Sequence, residues 1–113
     1  MSFKTTSTSE TRIMAAAGSG MSRMKDLESG HQCWPPVPVI TGSLNVYVNK
    51  IAAVRVGDVT AIHVCGKKPP HTDKCVKGSK TVRINKMDAM RIGDVLSFGA
   101  VMTEGSHTVL AGL

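Results

Sequence analysis

The chain has 113 residues, enough for one domain rather than two. Fourteen Lys and Arg against eight Asp and Glu give a net charge of +6, but the cations are scattered among apolar residues with no aromatic ladder beside them, which argues for solvated surface and against a nucleic-acid-binding module. No run of about 18 apolar residues occurs, which excludes a membrane-spanning helix, and only 4% of the residues are aromatic, so the core must rest on Val, Ile, Met and Ala and invites a staple such as a metal.

Residues 1–22 are rich in Ser, Thr, Ala and Gly and sustain no period. They read as a flexible or partner-ordered arm. The arm has no apolar h-region, so no secretion signal is evident and synthesis in the cytoplasm is expected. In that compartment the three cysteines are expected as metal ligands or bystanders rather than as disulfides.

From residue 23 to 113 the text becomes periodic. Gly42-Ser43-Leu44-Asn45-Val46-Tyr47-Val48-Asn49-Lys50 returns 36 residues later as Gly78-Ser79-Lys80-Thr81-Val82-Arg83-Ile84-Asn85-Lys86. The same offset carries Arg55-Val56-Gly57-Asp58-Val59 onto Arg91-Ile92-Gly93-Asp94-Val95. A third copy opens at Gly105-Ser106-His107-Thr108-Val109, and Asp26 closes a degenerate half copy near the start. The chain therefore reads as three units, one of them split between its two ends. Within a unit, Gly-Ser turns into a strand rich in β-branched residues, Asn-Lys reverses it, and Gly-Asp marks the next turn. Pro35, Pro36 and Pro38, with Pro69 and Pro70, mark extended connectors that cannot join a central ladder. Short strands with this punctuation predict an all-β domain.

The pattern G-S-x-x-V-x-[VI]-N-x-x-x-A-x-R-[VI]-G-D, led by Gly30-His31-Gln32-Cys33-Trp34-Pro35-Pro36, resembles the PAAR-repeat family over about residues 23–113. The family's Pro-Ala-Ala-Arg tetrapeptide falls on Ala52-Ala53-Val54-Arg55 and on Asp88-Ala89-Met90-Arg91, without its proline. Lys50 and Lys86 stand in place of the hairpin glycine, and Phe98 stands where the family often has Cys. The resemblance implies a small cone-shaped domain of three pseudo-threefold β-hairpin units with a structural zinc near its vertex. It also implies a single chain that caps the blunt end of a trimeric β-helical spike, VgrG-like or the central spike of a phage. Such a tip meets the target cell envelope only transiently, and its expected location is a phage tail or an assembled type VI secretion spike.

The family typically holds zinc with three His and one Cys. His31 and His63 each lie five residues after the Asp of their unit, so pseudo-threefold placement brings them together, while Gly99 leaves a gap in the third unit. His71, in the Pro69-Pro70-His71 connector, matches a family histidine. Cys75 is the expected fourth ligand, on the same connector at H-x₃-C spacing. Cys65 and Cys33 are its rivals, since each follows a ligand histidine by two residues and so faces the same side of an extended chain. His107, at the other end of a unit, is left out.

Trp34 is expected to pack beside the metal connector, Arg55 and Arg91 to pair with Asp58 and Asp94, and Met87 and Met90 to fill core or interface. Glu28 and Glu104 look isolated, and no H-E-x-x-H, nucleophile elbow or phosphate-cradling loop accompanies the histidines. These features argue for a mechanical role rather than an enzymatic one. A metal-dependent effector is the alternative, but the segments flanking the repeats look too short to hold a toxin domain.

Overall fold

A computed structural model describes residues 18–112. The expected arm lies outside the described residues except for its last five, and those five belong to the domain: Gly18–Gly20 form a strand, and Met21 and Ser22 are buried. The described residues are all-β. Eight short strands run in chain order: β1 (Gly18–Gly20), β2 (Tyr47–Val48), β3 (Ile51–Ala52), β4 (His63–Cys65), β5 (Lys68–His71), β6 (Arg83–Ile84), β7 (Met87–Asp88) and β8 (Leu110–Gly112). They pair antiparallel as β1 with β8, β2 with β3, β4 with β5, and β6 with β7.

Three of these pairs are the units read from the repeat. β2–β3 reverses over Asn49 and Lys50, at φ 54° and 67°, and β6–β7 over Asn85 and Lys86, at φ 55° and 69°. Two central residues with positive φ make the two-residue turn whose twist matches that of the flanking strands. The third pair joins the two ends of the domain, with Gly20 opposite Leu110. The split unit is thus closed in space.

Each unit opens with the same turn. The Oγ of Ser43 accepts the N–H of Asn45 and Val46, that of Ser79 the N–H of Thr81 and Val82, and that of Ser106 the N–H of Thr108 and Val109. The N–H groups of Ser43, Ser79 and Ser106 donate to Ala53, Ala89 and Met21 carbonyls, each at 2.8 Å. Glycine precedes each serine because the chains nearly touch: a Cβ on Gly42 would lie 2.9 Å from the Ala53 carbonyl oxygen.

The pseudo-threefold axis is marked by a closed ring of backbone hydrogen bonds. Ser22 N–H donates to the Met90 carbonyl at 2.9 Å, Met90 to Val54 at 3.0 Å, and Val54 back to Ser22 at 3.0 Å. The arginine after each ring member grips the aspartate three residues on. Arg23–Asp26, Arg55–Asp58 and Arg91–Asp94 each combine a backbone N–H and two guanidinium nitrogens on one carboxylate, at 2.7–3.2 Å. The expected Arg–Asp pairs are present, and the split unit adds a third.

Apolar burial lies in two clusters along this axis. Met21, Val48, Ala53, Val82, Ile84, Ala89, Val109 and Ala111 fill the hairpin end. Val39, Val54, Cys75, Met90, Leu96, Ala100 and Met102 fill the other. Met90 is core as expected, whereas Met87 is only half-buried.

Candidate metal centre

Beyond the second cluster the three units keep their register for two more rungs. The N–H groups of Val39, Cys75 and Met102 donate to the carbonyls of Asp26, Asp58 and Asp94 at 2.8–3.0 Å. On the next rung Glu28, Thr60 and Leu96 donate to the carbonyls of Val37, Asp73 and Ala100 at 2.8–3.1 Å. Past it the connectors diverge. The first folds into a tight turn, His31 to Trp34, closed by two backbone hydrogen bonds. The second forms the β4–β5 hairpin, with His63 opposite His71 and a register irregularity before Cys65 pairs with Lys68. Pro69 and Pro70 lie in β5, within a two-stranded sheet that exposes both outer edges. The third connector is a 3₁₀ turn, Ser97–Gly99, with Phe98 at φ 62°.

These connectors bring His31, His63, His71 and Asp73 together, with one ligand atom from each lying within 4.8 Å of all the others. The Nε2 atoms of His31 and His71 are 3.1 Å apart. The Asp73 carboxylate lies 2.9 Å from His63 Nε2, 3.2 Å from His71 Nε2 and 3.4 Å from His31 Nε2. Donors bound tetrahedrally to one zinc ion at about 2.0–2.1 Å sit roughly 3.3 Å from one another. The observed separations fall around that edge length, so the four side chains form a group that could hold a metal ion.

Their burial points the same way. His63 and Asp73 are fully buried, and Asp73 Oδ1 makes no hydrogen bond. An unpartnered buried carboxylate oxygen is costly, and a cation would satisfy it. On the far side of its ring, His63 Nδ1 also lacks a partner.

Three of the four expected ligands therefore meet, and the fourth does not join them. Cys75 is 1% exposed and packs in the second apolar cluster, one rung below Asp73. Burial, reinforced by the Asp58 and Asp94 carboxylates, pushes its thiol up to about 12. The reason for its placement is register: Cys75 shares a rung with Val39 and Met102, and Asp73 stands two residues nearer the histidines. The rival cysteines are also removed. Cys33 and Cys65 are joined in a disulfide, with Cα atoms 5.8 Å apart, against the expectation that all three cysteines stay unpaired.

Glu28 is not isolated either. It is fully buried, with its Oε1 accepting the N–H of Gly30 at 2.7 Å and of Val37 at 3.1 Å, and its Oε2 3.2 Å from His63 Nε2. Burial raises its carboxyl above the ordinary carboxylate range, and the Asp73 neighbour adds to the rise against the backbone hydrogen bonds. Phe98, at the position of the family's frequent cysteine, lays its ring against His31 and His71, with centroids 5.6 and 4.6 Å away. Trp34 packs on the same two histidines, at 5.0 and 4.9 Å. His107 is exposed and lines a separate recess with Arg23, Asp26 and Glu104.

Sequence reasoning missed Asp73 and Glu28, although both carry a readable signal. Counting back from the next Gly-Ser puts Asp73 in the slot of Val37 and Ala100. Counting forward from the unit's Asp puts Glu28 in the slot of Thr60 and Leu96. Each is a carboxylate in a slot that is otherwise apolar or neutral.

A family model described as the PAAR motif matches residues 29–104. No curated protein matches the sequence significantly.

Proposed function

The chain belongs to the PAAR-motif family, a family of spike tips in contractile injection systems, and on that premise we propose that it caps and sharpens a trimeric β-helical spike. The spike would be that of a phage tail or a type VI secretion machine, with the tip driven into a target envelope when the sheath contracts. The observation that carries this reading is the ring of Ser22, Val54 and Met90. One chain repeats its backbone three times about an axis, and so offers a true trimer three equivalent places to engage. Such a trimer ends in open strand edges that associate indiscriminately unless covered, and a single-chain cap covers them while converging to one point.

The metal belongs to the same reading. Apolar burial beside the histidines is slight, so rigidity there must come from links between connectors. We take the ion to be zinc held by His31, His63, His71 and Asp73, with Asp73 in place of Cys75. Its part is structural: it ties the first connector to the second, and no step of chemistry is assigned to it. The test is to mix the chain with its cognate trimeric spike and weigh the complex by native mass spectrometry. One copy per trimer is expected, with Leu44→Glu at the exposed hairpin end weakening the complex. Three copies per trimer, or no complex, would overturn the proposal.

A further inference from the structure

We propose that the Cys33–Cys65 disulfide is a reversible thiol-exchange site, opened in the folded chain by small anionic thiols that attack Cys33 and closed again by small disulfides. The covalent tie between the first and second connectors is then switchable. Neither sulfur belongs to the donor group of His31, His63, His71 and Asp73, so the exchange does not depend on a metal being held there.

Access comes first. The bond lies outside both apolar clusters, and its two ends differ: Cys33 is exposed and Cys65 half-buried. Exchange requires a thiolate to reach one of the two sulfurs, and Cys33 is the end that solvent reaches. The backbone on either side is also held independently of the bond. His31–Trp34 is closed by two backbone hydrogen bonds, at 3.0 and 2.9 Å, and Cys65 is paired with Lys68 in the β4–β5 hairpin. Opening the disulfide removes neither set of contacts, so the two Cα atoms, 5.8 Å apart, stay placed for closure without refolding.

Charge selects the reagent. Lys67 and Lys68 follow Cys65 closely and are exposed, and Lys68 Nζ reaches back to 5.2 Å from the Trp34 ring centroid, over the residue beside Cys33. Over residues 28–37 and 61–73 the only carboxylates are Glu28 and Asp73, both fully buried. An anion approaching the bond therefore meets cations and no exposed carboxylate. In the first step a thiolate attacks Cys33 Sγ, the Sγ–Sγ bond breaks, and its electron pair leaves on Cys65 Sγ, which takes up a proton. A second thiolate then attacks the reagent sulfur of the mixed disulfide and releases Cys33, which is protonated in turn. Two small thiols are oxidised to one disulfide while the protein bond is reduced to two thiols, and closure is the reverse.

The test treats the full folded chain with 2-mercaptoethanesulfonate, an anionic thiol, and follows opening by intact mass after alkylation. Emission from Trp34, the chain's single tryptophan, gives a second readout, because a neighbouring disulfide quenches it. Opening is expected in proportion to thiol concentration, at a rate within about tenfold of that in denaturant, with circular dichroism unchanged and Trp34 emission rising in step. The oxidised form of the reagent should then restore the starting mass. A rate that stops depending on thiol concentration because unfolding limits it, a chain that loses its structure when reduced, or a bond that does not re-form would each overturn the proposal. Single variants assign the sulfur. Cys65→Ala leaves Cys33 free and should react with an anionic aromatic disulfide at least about tenfold faster than Cys33→Ala, which leaves the half-buried Cys65; equal rates would overturn the attack on Cys33. If circular dichroism shows either variant unfolded, the wild-type kinetics decide alone. Neutral 2-mercaptoethanol, compared at equal thiolate concentration, should open the bond more slowly, and an equal rate would overturn the preference for anions.

Discussion

The disulfide and the proposed metal centre close the same loop, and this would make their contributions mutually dependent. Cys33 and Cys65 are separated by 32 residues, and His31 and His63, two residues before each, span an equal stretch. In the loop-closure description a cross-link of about 32 residues removes close to 4 kcal/mol of unfolded-chain entropy. For a domain of about 100 residues each kcal/mol moves the melting point by roughly 4–8 °C, so Cys33→Ala/Cys65→Ala should lower the Tm of the metal-free protein by about 15 °C or more. With metal bound, the ion already ties His31 to His63, and the second closure of that loop adds little. The drop should then shrink to a few degrees. The assay is a four-way melt: wild type and double variant, each with zinc and with a strong chelator, under non-reducing conditions. Intact mass confirms the disulfide, and metal analysis confirms each state. A drop of the same size with and without zinc would refute the shared loop, and a drop under a few degrees in chelator would refute the cross-link's role.

Three other outcomes are expected. Cys75 has its folded pKa raised from 9.0 to about 12; the stability this confers is complete below pH 9.0 and is lost as pH rises toward 12. Denaturant melts of wild type and Cys75→Val should therefore diverge only above pH 9.0, by up to about 4 kcal/mol, and equal pH profiles would exclude the buried thiol. Asp58→Ala removes the acceptor of Arg55 and of the Thr41 hydroxyl, at 2.7–3.1 Å, from a site 5% exposed; a loss of about 3 kcal/mol in urea melts is expected, and a loss under 1 kcal/mol would count against it. Lys50→Gly relieves a left-handed residue at φ 67° and should raise stability by about 1 kcal/mol, measured the same way; a decrease would mean that the Lys50 side chain contributes more than its backbone strain costs.

What could be read in the sequence was what local chemistry decides. The Asn-Lys reversals, the Gly-Ser turns and the Arg–Asp grips each need only residues a few positions apart, so their spacing survives translation into structure. The three histidines were legible because two share a position after the unit's Asp and the third follows Pro69 and Pro70. Counting forward from His71 misleads for Cys75, because the connector's hairpin has a register irregularity. Counted back three residues from Gly78, it shares its slot with Val39 and Met102, and its burial follows. The disulfide joins His31-Gln32-Cys33 to His63-Val64-Cys65, two H-x-C segments at the same distance from the Asp of their unit, so the register that brings the histidines together brings the cysteines together as well; the expectation of free thiols rested on compartment rather than on this spacing. The strand Gly18–Gly20 shows no local period: it forms only because Leu110–Gly112 lie beside it.

The symmetry itself accounts for where the site had to lie. A homotrimeric point could offer an ion on its axis only donors in sets of three, never three nitrogens and a single carboxylate. A single chain escapes that restriction once its units stop matching, and here they stop one rung above the Val39, Cys75 and Met102 layer. The first unit contributes His31, and the second His63, His71 and Asp73. The third contributes no donor to the group and covers it with the Phe98 ring. The hairpin end keeps the threefold pattern, as the proposed trimeric partner would need, and the opposite end gives it up where the His31, His63, His71 and Asp73 group is built from unequal parts. The backbone ring of Ser22, Val54 and Met90 lies between these two demands. It fixes the three units in register while leaving their connectors free to differ in length, and so allows one short chain with few aromatic residues to meet both.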